Sequence, residues 1–423
     1  MKLKGIFGAL LINLLLLMFF IIIGSFVLRG YFALNNDEQN LLNDINKNYN
    51  SNTIRSTYPV YKNTTPSEAL NIFTDYEKPD TTYYPFTGWR RSVYTGKSVK
   101  VISELRTRAS INHKIDNSIW FFGGSTMWGT GSNDNDTIPS QFAKLTNENV
   151  LNLGESSYLS FQEYVHLSIL LAKGLKPKKV VFYDGVNESY YCNTNNKQFP
   201  SHSRVERWGE YIGDYPNLMK KYNELKNIIK ENKLENVFKT VYEYLKSPYD
   251  VIWRLSFSDK VIGRTLSSKR ANMNTSIPMR EYLKTENYKN CDTSEIKLRK
   301  ASETTVNTWL MAHNLLQAIG IKFYVFLQPT SQISRSTLNL DYLIDEQKQR
   351  IANEEDSYKA RYEATKREWY KKCEAHNACD SFYDISTIFD HLNEDIYIDA
   401  VHIGPEGNKL IAKEIQKILI EDE

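Results

Sequence analysis

Three residues of the sequence, Ser125, Asp399 and His402, have the types and the spacing that serine-based acyl transfer requires. In that chemistry a hydroxyl attacks an ester carbonyl, a histidine takes the hydroxyl proton, and a carboxylate orients the histidine. Ser125 follows two glycines, which allow a sharp turn that presents its hydroxyl at the start of a helix. Asp399 precedes His402 by three residues, so its carboxylate can orient the imidazole without a separate chain segment.

Two further residues could stabilise the negative charge that develops on the carbonyl oxygen. Gly154 has no side chain, so its backbone N–H can approach a bound carbonyl closely. Asn187 offers a neutral side-chain amide, and the amide of Ser125 at the helix start offers a third donor. We therefore expect an oxyanion hole formed by Ser125, Gly154 and Asn187.

Each of these residues, taken alone, also has an ordinary structural explanation. A serine after two glycines is often a helix cap, and a glycine or asparagine after a strand is often a turn residue. His402 is one of seven histidines and could equally be a structural residue. The functional interpretation therefore depends on the whole set and on its order along the chain.

Apolar runs that stop at glycine or polar residues predict the strands that must position this set. These runs cover residues 119–122, 150–153, 179–183, 321–327 and 382–385. Helical patterns follow them, one with Pro139 in its first turn and others over residues 161–173, 302–318, 345–374 and 405–419. Strands that alternate with helices predict a parallel sheet of the α/β class, with reactive groups at the carboxyl ends of the strands.

The alternation defines an α/β domain over residues 116–423, and two other segments lie outside its pattern. Residues 29–115 are polar and contain four prolines, so we predict a stalk and an irregular wrapping segment with little regular structure. Residues from about 190 to 300 are charged and of helical composition, and they predict a mostly helical insertion in the domain.

The first residues of the chain predict a membrane anchor. Residues 5–28 carry no charge and are long enough to cross a bilayer as a helix. Lys2 and Lys4 precede this segment and acidic residues follow it, so residues 1–4 are expected to be a cytoplasmic tail. The catalytic domain would then lie outside the membrane, in a bacterial periplasm or at the cell surface. A cleaved signal peptide and a buried core helix fit this long, uniformly apolar segment less well.

The four cysteines are compatible with two disulfides in an oxidising compartment. Cys373 and Cys379 are close enough in sequence to close a small loop, which leaves Cys192 and Cys291 as the second pair. Three connectivities are formally open, and four reduced thiols are the alternative.

Composition excludes some classes of protein. Of the 423 residues, 41% are hydrophobic and 24% are charged, which is the balance of a folded chain and not of a disordered one. The 53 basic residues only slightly outnumber the 50 acidic ones, so a nucleic-acid binder is not indicated. The 28 tyrosines and 7 tryptophans would suit contact with sugar rings, or simply packing in a core.

The segments that contain the candidate residues resemble the four sequence blocks of the SGNH (GDSL-type) hydrolases. The matching segments are residues 122–126, 152–155, 183–188 and 399–402. Gly124 and Glu188 stand where aspartate is usual in that family. The strand end Leu327-Gln328-Pro329 is similar to that of membrane-anchored bacterial members associated with cell-surface polysaccharides.

This resemblance implies a fold: a three-layer sandwich with a central parallel sheet of flavodoxin-like type. It also implies catalysis by Ser125, Asp399 and His402, and an oxyanion hole of Ser125, Gly154 and Asn187. No cofactor or metal is expected, because the sequence lacks a glycine-rich phosphate loop and a His-Glu-x-x-His zinc helix, and Asp184 and Glu188 beside Asn187 are expected to form loop hydrogen bonds and not a metal site. The expected function is a membrane-anchored serine esterase that removes acyl groups, above all O-acetyl, from a glycan or cell-surface polysaccharide. The alternatives are an O-acyltransferase that uses the same residues, with a membrane partner as acyl donor, and a non-catalytic assembly protein.

Overall fold

The structure is a computed structural model that describes residues 51–192, 202, 295–334 and 338–421. All of these residues except Ser51 belong to one compact unit. The predicted anchor at residues 5–28 and most of the predicted insertion at 190–300, with Cys291, lie outside the described residues. Within the described ranges, no helix has both the length and the apolar character needed to cross a membrane.

The segment before residue 115 contains more regular structure than its prolines suggest. Its elements are helix α1, Pro66–Tyr76, and strands β1, Thr81–Tyr84, β2, Gly88–Arg91, β3, Tyr94–Thr95, β4, Lys100–Ile102, and β5, Thr107–Arg108. The prediction of an irregular segment is therefore wrong for residues 52–115. Pro66 stands in the first turn of α1, where its missing N–H is not needed. There Thr65 and Glu68 form a capping box that satisfies two backbone donors at the helix start.

Strands and helices alternate through the remainder of the described chain, as the sequence predicted. The elements are β6, Ile119–Gly123; α2, Ser125–Trp128; α3, Ile138–Thr146; β7, Val150–Asn152; α4, Ser160–Ala172; β8, Lys179–Asp184; α5, Glu295–Gln317; β9, Lys322–Leu327; α6, Asp345–Lys372; β10, Phe382–Asp384; and α7, Pro405–Glu421.

Strands β3 to β10 form an eight-stranded sheet with the order β10-β9-β8-β6-β7-β5-β4-β3. The five strands from β10 to β7 run parallel, whereas β5, β4 and β3 extend the sheet in antiparallel fashion. β1 and β2 form a separate hairpin. The predicted α/β class is confirmed, with a sheet that is rich in parallel strands and not wholly parallel.

Helices cover both faces of the sheet because successive strand residues point to opposite sides. On one face, Trp120 and Phe122 belong to a buried cluster that includes residues of α4, α5 and α6. On the other face, Ile119 and Phe121 belong to a cluster that includes residues of α3 and α7. The sheet is thus the middle of three layers.

The strand register brings the ends of the parallel strands together at one edge. Gly123 at the end of β6 pairs with Tyr183 of β8, and Phe121 pairs with Asn152 at the end of β7. The residues that follow these strands, including Ser125, Gly154 and Asn187, therefore leave the sheet at its carboxyl edge. A turn closed by a bridge between Tyr397 and Ile403 contains Asp399 and His402.

A disulfide joins Cys373 and Cys379 between α6 and β10. The pairing that sequence proximity favoured is confirmed for these two cysteines, while the pairing of Cys192 with Cys291 lies outside the described side chains. The bond fixes the chain where it turns from a long helix into an edge strand.

Replacing Cys373 and Cys379 together by serine should lower the free energy of unfolding by about 2 kcal/mol, because the bond closes a short loop that the unfolded chain would otherwise leave open. Urea unfolding of the wild type and the double variant measures this difference. In the presence of a thiol reductant the difference should vanish. If it persists under reducing conditions, the serines act through lost packing and not through the lost bond.

Candidate active site

Ser125 begins the short helix α2 directly after the end of β6. Close packing explains the two glycines before it. A Cβ atom on Gly124 would run into the amide nitrogen of Asn187, and one on Gly123 would lie 2.6 Å from Cβ of Met127. The helix stops at Gly129, whose φ of 94° is a left-handed conformation that favours glycine. Ser125 itself is 8% exposed.

The structure brings Ser125, His402 and Asp399 into one hydrogen-bonded chain. His402 Nε2 lies 2.7 Å from Ser125 Oγ, and His402 Nδ1 lies 2.8 Å from Asp399 Oδ2. The other carboxylate oxygen of Asp399 accepts the backbone N–H groups of Val401 and His402, at 2.9 Å each. With Nδ1–H donated to the carboxylate, Nε2 is left free to accept the Ser125 proton.

Electrostatics favour a charged Asp399 and a basic His402. Burial would raise the pKa of Asp399, but the charge and hydrogen bonds of His402, with the bond from Val401, hold that pKa well below its usual range. Burial would likewise lower the pKa of His402, but the Asp399 charge outweighs it and raises that pKa above the ordinary value. The imidazole is therefore a stronger base than a free histidine.

Two of the predicted oxyanion donors, Asn187 and Gly154, have hydrogen-bond partners within the protein. Asn187 Nδ2 donates to Tyr158 O at 2.8 Å, which leaves its second amide hydrogen for another acceptor. Gly154 N donates to Asn152 Oδ1 at 3.1 Å. A Cβ on Gly154 would lie 2.6 Å from the backbone nitrogen of Trp128, so the glycine is needed for close packing on α2. Asn187 lines a small cavity together with Ser125, whereas Gly154 is not among its lining residues. No pattern in the sequence indicated these internal bonds.

A small cavity adjoins Ser125 on the side of Asn187. Its volume is about 10 Å³, the space of about one water molecule. Residues 124–126, 158, 183–188 and 328 line it. Gln328 and Thr126, which are joined by a 2.7 Å hydrogen bond, close one wall. The sequence marked Gln328 only as the end of a strand, and no pattern singled out Tyr158.

Comparisons with known proteins add little to this geometry. No family model matches the chain, and no curated protein matches it. A solved structure that overlaps with it is that of LAE5, an alpha/beta hydrolase enzyme from the metagenome of Lake Arreo, Spain, at 10% identity. The overlap covers 73% of this chain and 97% of that chain with a TM-score of 0.30, a value too low to carry an argument.

Three buried carboxyl groups lie beneath the Asn187 loop. Glu188 accepts the N–H groups of Gly185 and Ser160, at 2.8 and 3.0 Å, so it holds the loop together as its position beside Asn187 predicted. Asp184 accepts a 2.7 Å bond from the indole of Trp309. Glu163 is fully buried, and burial together with the Asp184 charge raises its pKa well above the usual range.

Replacing Glu163 by glutamine should make the protein more stable at alkaline pH. A folded-state pKa above the unfolded value means that stability is full at low pH and falls as the pH rises. Glutamine does not ionise, so the melting temperature of Glu163→Gln should fall less than that of the wild type between about pH 5 and pH 9. Thermal unfolding at both pH values measures this. Glu104→Gln, at an exposed site, should follow the wild-type profile; two parallel profiles for Glu163→Gln and wild type would contradict the assignment.

Proposed function

We propose that the protein is a serine esterase of the SGNH type that removes a small acyl group, acetyl above all, from an acylated glycan. The observation that carries this proposal is the chain of two short hydrogen bonds from Ser125 through His402 to Asp399. Residues far apart in the sequence, at 125 and 399–402, meet at distances that nucleophilic catalysis requires.

The reaction proceeds in two halves. His402 Nε2 takes the Ser125 proton as Oγ bonds to the ester carbonyl carbon, and it then gives that proton to the alcohol oxygen as the ester C–O bond breaks. In the second half His402 takes a proton from water, the water oxygen attacks the acyl carbon, and the proton returns to Ser125 Oγ as the acid leaves. In this proposal the Ser125 amide and the second amide hydrogen of Asn187 donate to the developing oxyanion, and the Gly154 amide turns from Asn152 to become the third donor.

The SGNH assignment is supported by topology as well as by sequence. Numbered along the chain, the five parallel strands have the spatial order 2-1-3-4-5, which is the flavodoxin-like order. Candidate residues follow the first three of these strands, and the acid–base pair precedes the last helix. This arrangement matches what the resemblance implies for fold and site.

A small acyl group is supported by the cavity beside Ser125. This cavity has room for about one water-sized sphere, about 10 Å³, so a small acyl group needs the least additional space. Gly124, Asn187 and Gln328 are among the residues that line it. Acetyl is therefore the acyl group that we propose.

The compartment is part of the proposal. The disulfide between Cys373 and Cys379 supports an oxidising environment, such as a periplasm or the cell exterior. The uncharged segment at residues 5–28 supports attachment to the membrane through the amino terminus. Together they support a single-pass anchor at the bacterial cell membrane and a domain that faces surface polysaccharides.

The decisive experiment incubates the purified full chain, in detergent, with an acetylated oligosaccharide. Free acetate is followed with time, and acetyl on Ser125 is sought by mass spectrometry after acid quench. Acetate release that depends on Ser125 supports the esterase. Acetyl that stays on Ser125 until a second glycan is added would show a transferase, and folded protein with neither signal would contradict catalysis.

Replacing Asn187 by alanine should lower kcat by on the order of a hundredfold, because one preorganised oxyanion donor is lost. Steady-state kinetics on the acetylated substrate measure the effect. Asn63→Ala, at an exposed turn position, is the control and should retain wild-type turnover. Full turnover in Asn187→Ala would remove this residue from the oxyanion hole.

A further inference from the structure

Arg91, at the end of β2, places a buried positive charge beside the site. The residue is 6% exposed, and its guanidinium carbon lies 3.8 Å from the ring centre of Trp128 and 4.4 Å from that of Tyr76. Trp128 ends α2, the helix that begins at Ser125. The charge therefore sits against the same short helix as the nucleophile.

Among the described residues, no carboxylate forms an ion pair with Arg91. Two other arginines near the site do have such partners: Arg108 lies 2.8 Å from Asp134, and Arg350 lies 3.1 Å from Glu354. Glu155 approaches Arg91 but accepts its backbone N–H, at 2.9 Å, and not the guanidinium. One guanidinium nitrogen of Arg91 is buried without a hydrogen-bond acceptor. The guanidinium of Arg91 thus has no ion-pair partner among the described residues, in a place where burial limits screening by solvent.

Tyr76, at the end of α1, is a half-buried residue whose ring contacts the Arg91 guanidinium. Its ring packs edge-on against Trp128 with centroids 5.4 Å apart, and its half-buried hydroxyl lies 3.3 Å from Ser156 Oγ. Burial would raise the pKa of Tyr76, but the charges of Arg91 and His402, with hydrogen bonds from Ser156 and Thr130, lower it to about 8. The environment of this hydroxyl therefore stabilises negative charge.

We propose that Tyr76, Ser156 and Arg91 form a subsite that selects an alcohol bearing a negatively charged group, a carboxylate or a phosphate on a sugar. This inference rests on the proposed esterase function and names the class of its substrate. Tyr76 and Ser156 supply hydroxyl contacts to the anion, and Arg91 supplies the charge from behind the Tyr76 ring.

The position of the subsite assigns it to the alcohol half of the ester. The small cavity that would hold the acyl group is lined by residues on the Asn187 side of Ser125, and Tyr76, Ser156 and Arg91 are not among them. Tyr76 instead interacts electrostatically with His402, the group that gives its proton to the leaving alcohol. The proposal therefore places the charged group of the alcohol on the Tyr76 side of the site.

Binding of unesterified sugars tests the subsite without any need for turnover. The probes are methyl glucuronide, methyl glucoside 6-phosphate and neutral methyl glucoside, added to the full chain in detergent and measured by calorimetry. At least one charged probe should bind about tenfold tighter than the neutral one, and the preferred probe identifies the anion as carboxylate or phosphate. Equal affinities for all three probes would overturn the proposal.

Variants test which residues cause the preference for the charged probe. Arg91→Met keeps an apolar stem between the two rings and should bring the affinity ratio of charged to neutral probe close to one. Tyr76→Phe keeps the ring and should lower that ratio several-fold, so it decides the matter if Arg91→Met fails to fold. Arg106→Met removes the same charge from a side chain that contacts Thr82 and Tyr84, and it should keep the wild-type ratio. An unchanged ratio in Tyr76→Phe would overturn the subsite.

The two proposals can fail separately. If the chain hydrolyses no ester yet binds the charged probe with a dependence on Arg91, the subsite stands and the esterase fails. If acetate release depends on Ser125 but charged and neutral sugars bind equally, the esterase stands and the subsite fails.

Discussion

Replacing Ser125 by alanine should reduce kcat for ester hydrolysis by about 10⁴- to 10⁶-fold, which leaves only the contribution of binding and the oxyanion donors. The change removes the Oγ atom that lies 2.7 Å from His402 Nε2 and adds no bulk. Ser125 is the first residue of helix α2, which lies between Gly124 and Gly129. Since alanine readily adopts a helical backbone, it fits this position. Initial rates of acetate release, with the acyl-enzyme followed by mass spectrometry, measure the loss.

The control for this variant is Ser168→Ala. Ser168 lies in α4 and bonds to the carbonyl of Tyr164 within its own helix, so its removal should leave turnover unchanged. Both variants should show the wild-type circular dichroism spectrum. Substantial hydrolysis by folded Ser125→Ala would mean that another group, or water activated by His402, performs the attack.

The parallel core was predictable because its strands are short apolar runs that stop at marked positions. Residues 119–123 are buried throughout, and so are residues 179–184, which is the burial of a strand covered on both faces. Such strands show continuous apolar runs, and the glycine or polar residue after each run shows where it stops. The helices were also predictable, with α6 found at Asp345–Lys372 against an expectation of 345–374.

The antiparallel extension of the sheet was not predictable in the same way. β3 and β5 have only two residues each, too few for any alternation of apolar and polar side chains to appear. Their residues include Tyr94, Thr107 and Arg108, and a buried arginine in a strand contradicts the usual pattern. Arg108 is tolerated there because Asp134 pairs with it and backbone carbonyls of Trp128 and Ser132 accept its other donors.

The residues of the candidate site were likewise predictable only where a local sequence pattern marks them. Ser125, Asp399, His402, Gly154 and Asn187 could be proposed because each stands at a strand end or before the last helix. Tyr76 and Arg91 come from the segment before residue 115, and only the folding of that segment onto α2 brings them near His402. No local pattern marks a residue whose role depends on contact with a distant helix.

Replacing Asp399 by asparagine should lower kcat by about 10³- to 10⁴-fold and move the acid limb of the activity profile to lower pH. Asparagine can still accept the N–H groups of Val401 and His402, so the turn should keep its shape. It no longer holds the imidazole in the tautomer that leaves Nε2 free to take the Ser125 proton. The rate loss thus comes from a wrong tautomer and a lost charge, not from unfolding.

The direction of the pH shift follows from the balance at His402. Burial lowers the pKa of His402, the Asp399 carboxylate raises it, and the carboxylate prevails in the wild type. Since neutral His402 is the active form, wild-type activity falls on acidification at a pH above the ordinary histidine pKa of about 6.5. With the carboxylate gone, burial is the largest remaining influence and the Arg350 charge acts in the same direction, so the acid limb moves below the wild-type position. The dependence of kcat/KM on pH measures this, with exposed Asp380→Asn as the control that keeps the wild-type profile; an acid limb that does not move in Asp399→Asn would mean that a group other than His402 titrates there.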